Sequence, residues 1–271
     1  MKRRYFFTTI LTCLLLVLTS CSRTTISNGL MDGATPETSA LEFFQFYGNT
    51  VSSAFLFDQP LIVQLLEELD TVPATRAPDW TPDDITLPLY GFWIGDVSGW
   101  GISVAWSNGY WITGEGYAYT FDFDFETLQS YPWEHGRDFP SFSAFPNARI
   151  LTVNENGWNP TLLTPATIEN NVNIAGITMT LVDWNKEQVS VVIANENDEE
   201  WMYGEHFSLH VQLDNEWFDV PPLPSFAFSD IGLIVPPKGE VPHVYALTMF
   251  GDLPHGTYRL VAYGLYVEFE L

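Results

Sequence analysis

The 271-residue sequence predicts a small N-terminal α+β domain, one helix on an antiparallel sheet, followed by an all-β sandwich. Three observations carry that prediction. Only one stretch, FDQPLIVQLLEELD, has a convincing helical stripe; the rest of the first half switches to period-two, aromatic-rich runs; and the last hundred residues are short strands broken by turns every ~8 to 12 residues. A 46% hydrophobic, 16% charged composition is far from that of a disordered chain, and the length suits two domains.

The chain opens MKRRYFFTTILTCLLLVLTSC, a basic start followed by an apolar run too short for the ~20 residues that span a bilayer. Residues 1–20 are therefore expected to be an export signal. Leu18-Thr19-Ser20-Cys21 resembles the lipobox of bacterial lipoproteins, which implies that Cys21 is lipidated, becomes the mature N-terminus and anchors the chain to the outer side of the cell membrane. The other cysteine, Cys13, leaves with the signal, so no disulfide or thiol site remains. Residues 21–40 are small and polar and read as a flexible tether.

Charge narrows the partners. The chain has 10 basic residues and 34 acidic ones, and loss of Lys2, Arg3 and Arg4 leaves 7 against 34, near −27. Such a surface repels phosphate backbones and anionic headgroups, which excludes nucleic acid and leaves the lipid anchor as the route to the membrane. An envelope protein or a glycan is the partner class that fits.

The α+β domain is expected over residues 41–160. Asp58 is placed to cap the helix, Pro60 suits its first turn, and Leu61, Ile62, Leu65, Leu66 and Leu69 share one face. Asn108-Gly109 between aromatic runs signals a hairpin, because both central residues of a type I′ turn need positive φ; it pairs Trp106 with Trp111. From Tyr117 to Glu126 aromatics alternate with polar residues as in a half-buried strand, although Asp124 could cap a helical turn in FETLQSY. Arg149 to Val153 reads as a closing strand, and WNPTLLTPATIENN as the connection onward.

The sandwich is expected over residues 170–271, of immunoglobulin-like type from its strand spacing, with Leu265, Val267, Phe269 and Leu271 inward. Here Tyr203-Gly204-Glu205, Leu209, Trp217 with Val220-Pro221, and Phe250-Gly251-Asp252-Leu253-Pro254-His255-Gly256-Thr257-Tyr258-Arg259 resemble a bacterial immunoglobulin-like domain family common in extracytoplasmic proteins of Firmicutes. Phe250 and His255 depart from the tyrosine and proline usual in that family. The resemblance implies a non-catalytic module. Trp217, Gly251 and Gly256 are structural by this reading, and Tyr258 pins a tyrosine corner.

No catalytic motif, metal motif or cofactor fingerprint occurs. His206 and His210, four apart on a strand, lie ~13 Å from each other and read as edge or surface residues. Asp122-x-Asp124-x-Glu126 lacks the glycine and glutamate of an EF-hand; weak calcium binding there or at Asn195–Glu200 is the most those acids suggest. His135 beside Glu134 and Asp138 is local proximity, not catalytic geometry.

The tryptophans remain. The hairpin has Trp106 and Trp111 on one face and Ala105 and Ile112 on the other, so both faces are apolar: either both are covered or one meets a partner. The expectation is a membrane-anchored, non-enzymatic binding or presentation protein; the alternative is a carbohydrate-binding surface protein using Trp93, Trp100, Trp106 and Trp111.

Overall fold

The computed structural model describes residues 27–31, 40–95, 101–154, 157–168, 175–223 and 228–271. Cys21, Trp100 and the side chain of His135 lie outside the described residues.

Among the described residues ten strands precede the sandwich: β1 (Ala40–Phe46), β2 (Val51–Leu56), β3 (Ala74–Arg76), β4 (Leu89–Gly95), β5 (Gly101–Ser107), β6 (Tyr110–Thr113), β7 (Ala118–Phe121), β8 (Glu134–Phe139), β9 (Val153–Asn154) and β10 (Gly157–Trp158). Among the described residues, eight of them form one sheet in the order β3-β7-β6-β5-β4-β1-β2-β8, with antiparallel pairing throughout. Helix α1 (Gln59–Thr71) begins where expected. The Asp58 carboxylate accepts the Leu61 N–H at 3.1 Å, answering a donor that has no partner within the helix. Its far end is closed from outside: Asn28 Nδ2 donates to the carbonyls of Leu69 and Val72 at 2.8 and 2.9 Å, and Met31 is buried beside the helix. Part of the segment read as a tether is thus docked on the body.

The period-two pattern gives the sheet two apolar faces. Leu41, Phe43, Tyr90, Phe92, Ile94, Val104, Trp111 and Phe121 share one core with Ile62, Leu65, Leu66 and Leu69 of α1. On the opposite face Phe44, Phe46, Val51, Leu89, Ala105, Ile112 and Ala118 pack under Phe142, Phe145, Ala148, Leu151 and Leu162. Asn108 and Gly109 take φ of 49° and 79°, and the turn pairs Trp106 with Trp111.

One open alternative is decided, in favour of the Asp124 cap, and one expectation is corrected. The aromatic alternation ends at Phe121, and residues Phe125–Ser130 form a 3-10 helix whose Asp124 cap accepts the Glu126 N–H. That cap turns Phe125 onto the core, 4.6 Å from the Trp106 ring. Residues Ala148–Leu151 are a helical turn, α2, instead of a strand, entered through Asn147 at φ 60°. The turn is held because Arg149 finds its partners in the following domain, as shown below.

The second domain contains β11 (Ile177–Trp184), β12 (Gln188–Asn195), β13 (Trp201–Tyr203), β14 (Ser208–Leu213), β15 (Glu216–Asp219), β16 (Leu233–Val235), β17 (Gly239–Ala246), β18 (Thr257–Ala262) and β19 (Leu265–Glu270). They form antiparallel sheets β11-β12-β17, β13-β16 and β15-β14-β18-β19 around one core. In β19 Leu265, Val267 and Phe269 are buried while Tyr266, Glu268 and Glu270 are exposed, as the alternation requires. Tyr258 donates to the Pro254 carbonyl at 2.6 Å, the bond of a tyrosine corner. Gly251 sits at φ 66°. The connecting segment belongs to both domains: Leu162 packs under the eight-stranded sheet, Leu163 joins the sandwich core, and Thr164 and Ala166 hydrogen-bond along β15.

Candidate functional site

The four candidate tryptophans part company. Trp111 is 0% exposed, wedged between Phe121 at 4.7 Å and Phe92 at 6.5 Å. Trp106 is half-buried in the same core, and its Nε1 donates to the Phe121 carbonyl. These two are core residues and offer no platform, because their face of the sheet is the one covered by α1 and Phe125. Trp93 lies on the opposite face and lines a cleft of about 370 Å³.

That cleft exists because the cover over the second face is incomplete. Phe145 and Pro146 close it above Gly91, where a Cβ would come within 2.9 Å of the Phe145 ring. Further along, β1 and β4 present Glu42 and Trp93 in place of aliphatic side chains. The Trp93 indole lies flat across the cross-strand pair Gly95 and Gly101. A Cβ at Gly95 would collide with its six-membered ring, and one at Gly101 would approach its Nε1 to 2.8 Å. Two glycines therefore let the ring lie along the sheet. Ser103, Ser143, Ala144, Asn147 and Pro222 complete the walls, and Pro222 comes from the second domain.

Glu42 is 6% exposed, which demands partners. Its Oε1 accepts from Ser53 Oγ at 2.6 Å and from Arg137 at 2.9 Å, so its charge is compensated inside the sheet. Asn147 is 1% exposed; its Nδ2 donates to the Ser103 carbonyl at 3.0 Å while its enclosed Oδ1 accepts from no group among the described residues. The cleft thus has an aromatic floor with a buried carboxylate beside it and serine hydroxyls at its rim, and none of its described lining residues is Lys, Arg or His.

The two domains are pinned together beside it. Arg149, 6% exposed, donates from Nε to the Phe250 carbonyl at 2.6 Å and from its guanidinium to that of Asp252, and it stacks on Trp158 at 4.7 Å. Burial draws its pKa below the ordinary arginine value. Trp158 in turn donates to the Tyr258 hydroxyl at 3.0 Å, joining the clamp to the tyrosine corner.

A second cavity, about 550 Å³, is lined by His206, Ser208, His210, Asp219, Val261 and Tyr263 among others. His210 is buried, not superficial: the Asp214-Asn215 turn, both at positive φ, pairs it directly with Asp219, and Nε2 lies 3.2 Å from the carboxylate. Burial, with Arg259 adding, holds His210 down to about 4, and burial pushes Asp219 up to about 6. An Asp-His pair works in nucleophilic catalysis only with a nucleophile on its other nitrogen. Among the described residues Nδ1 is enclosed without a hydrogen-bond partner, so no nucleophile stands on it. His206 stacks on Phe228 instead of joining it.

Trp217 lies under the Arg259 guanidinium at 4.1 Å, and Gly256 exchanges backbone hydrogen bonds with Leu271. Among the described residues no group of three or more His, Cys, Asp or Glu is arranged to hold a metal ion, and no helix is long and apolar enough to cross a membrane.

Glu42 and Arg149 went unnoticed in the sequence, yet Glu42 carries a signal: it is the one charge in the apolar strand ALEFFQF and takes an inward position. Asn147 and Arg149 carry none, since their partners are 44 and about a hundred residues away.

Comparison with known proteins bears on the second domain. The family model described as a bacterial Ig-like domain matches residues 169–268. It leaves the eight-stranded sheet outside the match. No curated protein and no solved structure matches the chain.

Proposed function

We propose that the protein is an exported, lipid-anchored, non-catalytic binding protein of the cell envelope, with the cleft beside Trp93 as its binding face. The observation that carries this reading is that both domains build the cleft: the sheet supplies Glu42, Trp93 and Ser103, the sandwich supplies Pro222, and the Arg149 clamp holds the two together. A rigid, partly apolar concavity with a few placed polar groups is what a small-ligand site requires. The basic and apolar start ending in Cys21 supports export and lipidation, and Ig-like domains of bacteria are typical of proteins outside the cell. The described lining carries one carboxylate, Glu42, already engaged by Ser53 and Arg137, which suits positioning better than proton transfer.

The test is metabolic labelling with palmitate and fractionation of Cys21→Ala. The label is expected to vanish and the protein to leave the membrane fraction; undiminished membrane association in the variant would overturn the anchor.

A further inference from the structure

We infer that the cleft beside Trp93 takes a neutral pyranose ring, stacked on the indole and hydrogen-bonded through its hydroxyls to Glu42 and to the Ser103 and Ser143 hydroxyls. This rests on the cleft being the binding face and specifies its ligand. Three features of the walls select the class. The exposed side of an indole laid flat on a sheet offers an apolar, electron-rich surface, which fits the C–H face of a sugar ring. The reachable polar groups both accept and donate: the Glu42 carboxylate accepts, and the Ser103 and Ser143 hydroxyls do either, which matches a ligand whose own hydroxyls do both. Finally, charge decides between a hydroxylated ring and an organic cation. Arg137 at 2.9 Å already neutralises Glu42, which leaves no unpaired negative charge for an ammonium group. An anion would meet no lining cation and a chain of net charge −24. The volume of about 370 Å³ is at the small end for ligand sites and suits one or two rings.

The experiment uses the full-length lipoprotein in non-ionic, sugar-free detergent, with glucose, galactose, mannose, N-acetylglucosamine and their β-linked disaccharides as probes, and choline as the cationic comparison. Binding is read by saturation-transfer NMR and by the 19F signals of 5-fluorotryptophan, with the Trp93 signal assigned by Trp93→Phe. At least one neutral sugar is expected to bind, to receive saturation at its ring C–H protons and to move the Trp93 signal. Trp93→Ala is expected to weaken it by about tenfold or more, the equivalent of about 1.4 kcal/mol. Should Trp93→Ala fail to fold, Ser143→Trp at the exposed rim fills the same space without touching the core and is expected to abolish binding. The proposal is overturned if no sugar binds at ~10 mM, a concentration that half-saturates a site with an affinity of only about 2.7 kcal/mol, if binding leaves the Trp93 signal unmoved or survives Ser143→Trp, or if choline binds there in place of the sugars. None of those results depends on Cys21, so loss of the ligand assignment and loss of the anchor are separable.

Discussion

The two domains solve the same burial problem in different ways. In the sandwich, sheets β11-β12-β17 and β15-β14-β18-β19 share one core, and the inward residues of β12, β14, β18 and β19 are mostly Val, Leu and Ile. Among the described residues of the first domain an eight-stranded sheet has two apolar faces and one helix of useful length. One face gathers aromatics beneath α1, where Phe43, Tyr90, Phe92, Trp106, Trp111, Phe121 and Phe125 stack ring on ring. The other borrows its cover from residues 142–162. The comparison teaches where a site can arise: a sandwich closes on itself, whereas a borrowed cover can stop short, and it stops short over Glu42 and Trp93.

The largest effect that would break this picture is at Trp111. Trp111→Ala should cost about 3–5 kcal/mol, the usual range for emptying a buried aromatic, read as a lower urea midpoint for the first domain. A variant of wild-type stability would mean that the ring is not core. Next comes the clamp. Arg149→Ala leaves two carbonyls without their charged donor and should cost about 2–4 kcal/mol, with the calorimetric endotherm splitting as the domains unfold separately. Unchanged, coincident unfolding would show that the clamp does not couple them. Smaller is Tyr258→Phe, which deletes the hydroxyl between Trp158 and the Pro254 carbonyl and should cost about 1–2 kcal/mol in the sandwich; a neutral result would sink the corner's role.

The smallest effect is a pH slope. With His210 held near 4, the unfolded chain binds the proton first, so this group lowers stability as pH falls from 6.5 to 4. With Asp219 raised to about 6, the folded chain binds first, so this group raises stability as pH falls from 6 to 3.8. The two oppose each other. Asp219→Asn should therefore lose about 1 kcal/mol more than the parent for each pH unit of acidification between 6 and 4.5. Equal slopes in urea midpoints at pH 6, 5.3 and 4.5 would contradict the buried pair.

Much of the fold was legible because it rests on neighbours in the chain. Asp58 before a leucine stripe, Asn108-Gly109 between aromatic runs, and the alternation from Leu265 to Phe269 each describe contacts within a few residues, where backbone sterics and period decide the outcome. The Arg149 strand failed for the opposite reason: its apolar-looking surroundings fit a strand, while its guanidinium satisfies carbonyls a hundred residues later. The candidate site was half legible. Trp93 was among the residues singled out, but Trp106 and Trp111, on the other face, were grouped with it, since a strand pattern assigns residues to a face without saying what covers that face.

By itself, then, the sequence determined the helix with its cap, the Trp106–Trp111 pairing and the immunoglobulin-like second domain, because turn chemistry and alternation act locally. Tertiary structure alone decided which tryptophans are core, where the cover over the sheet stops, and that Arg149 and Asn147 stand at the junction. Those are outcomes of packing between distant segments, and the burial of a side chain is a property of what lies opposite it.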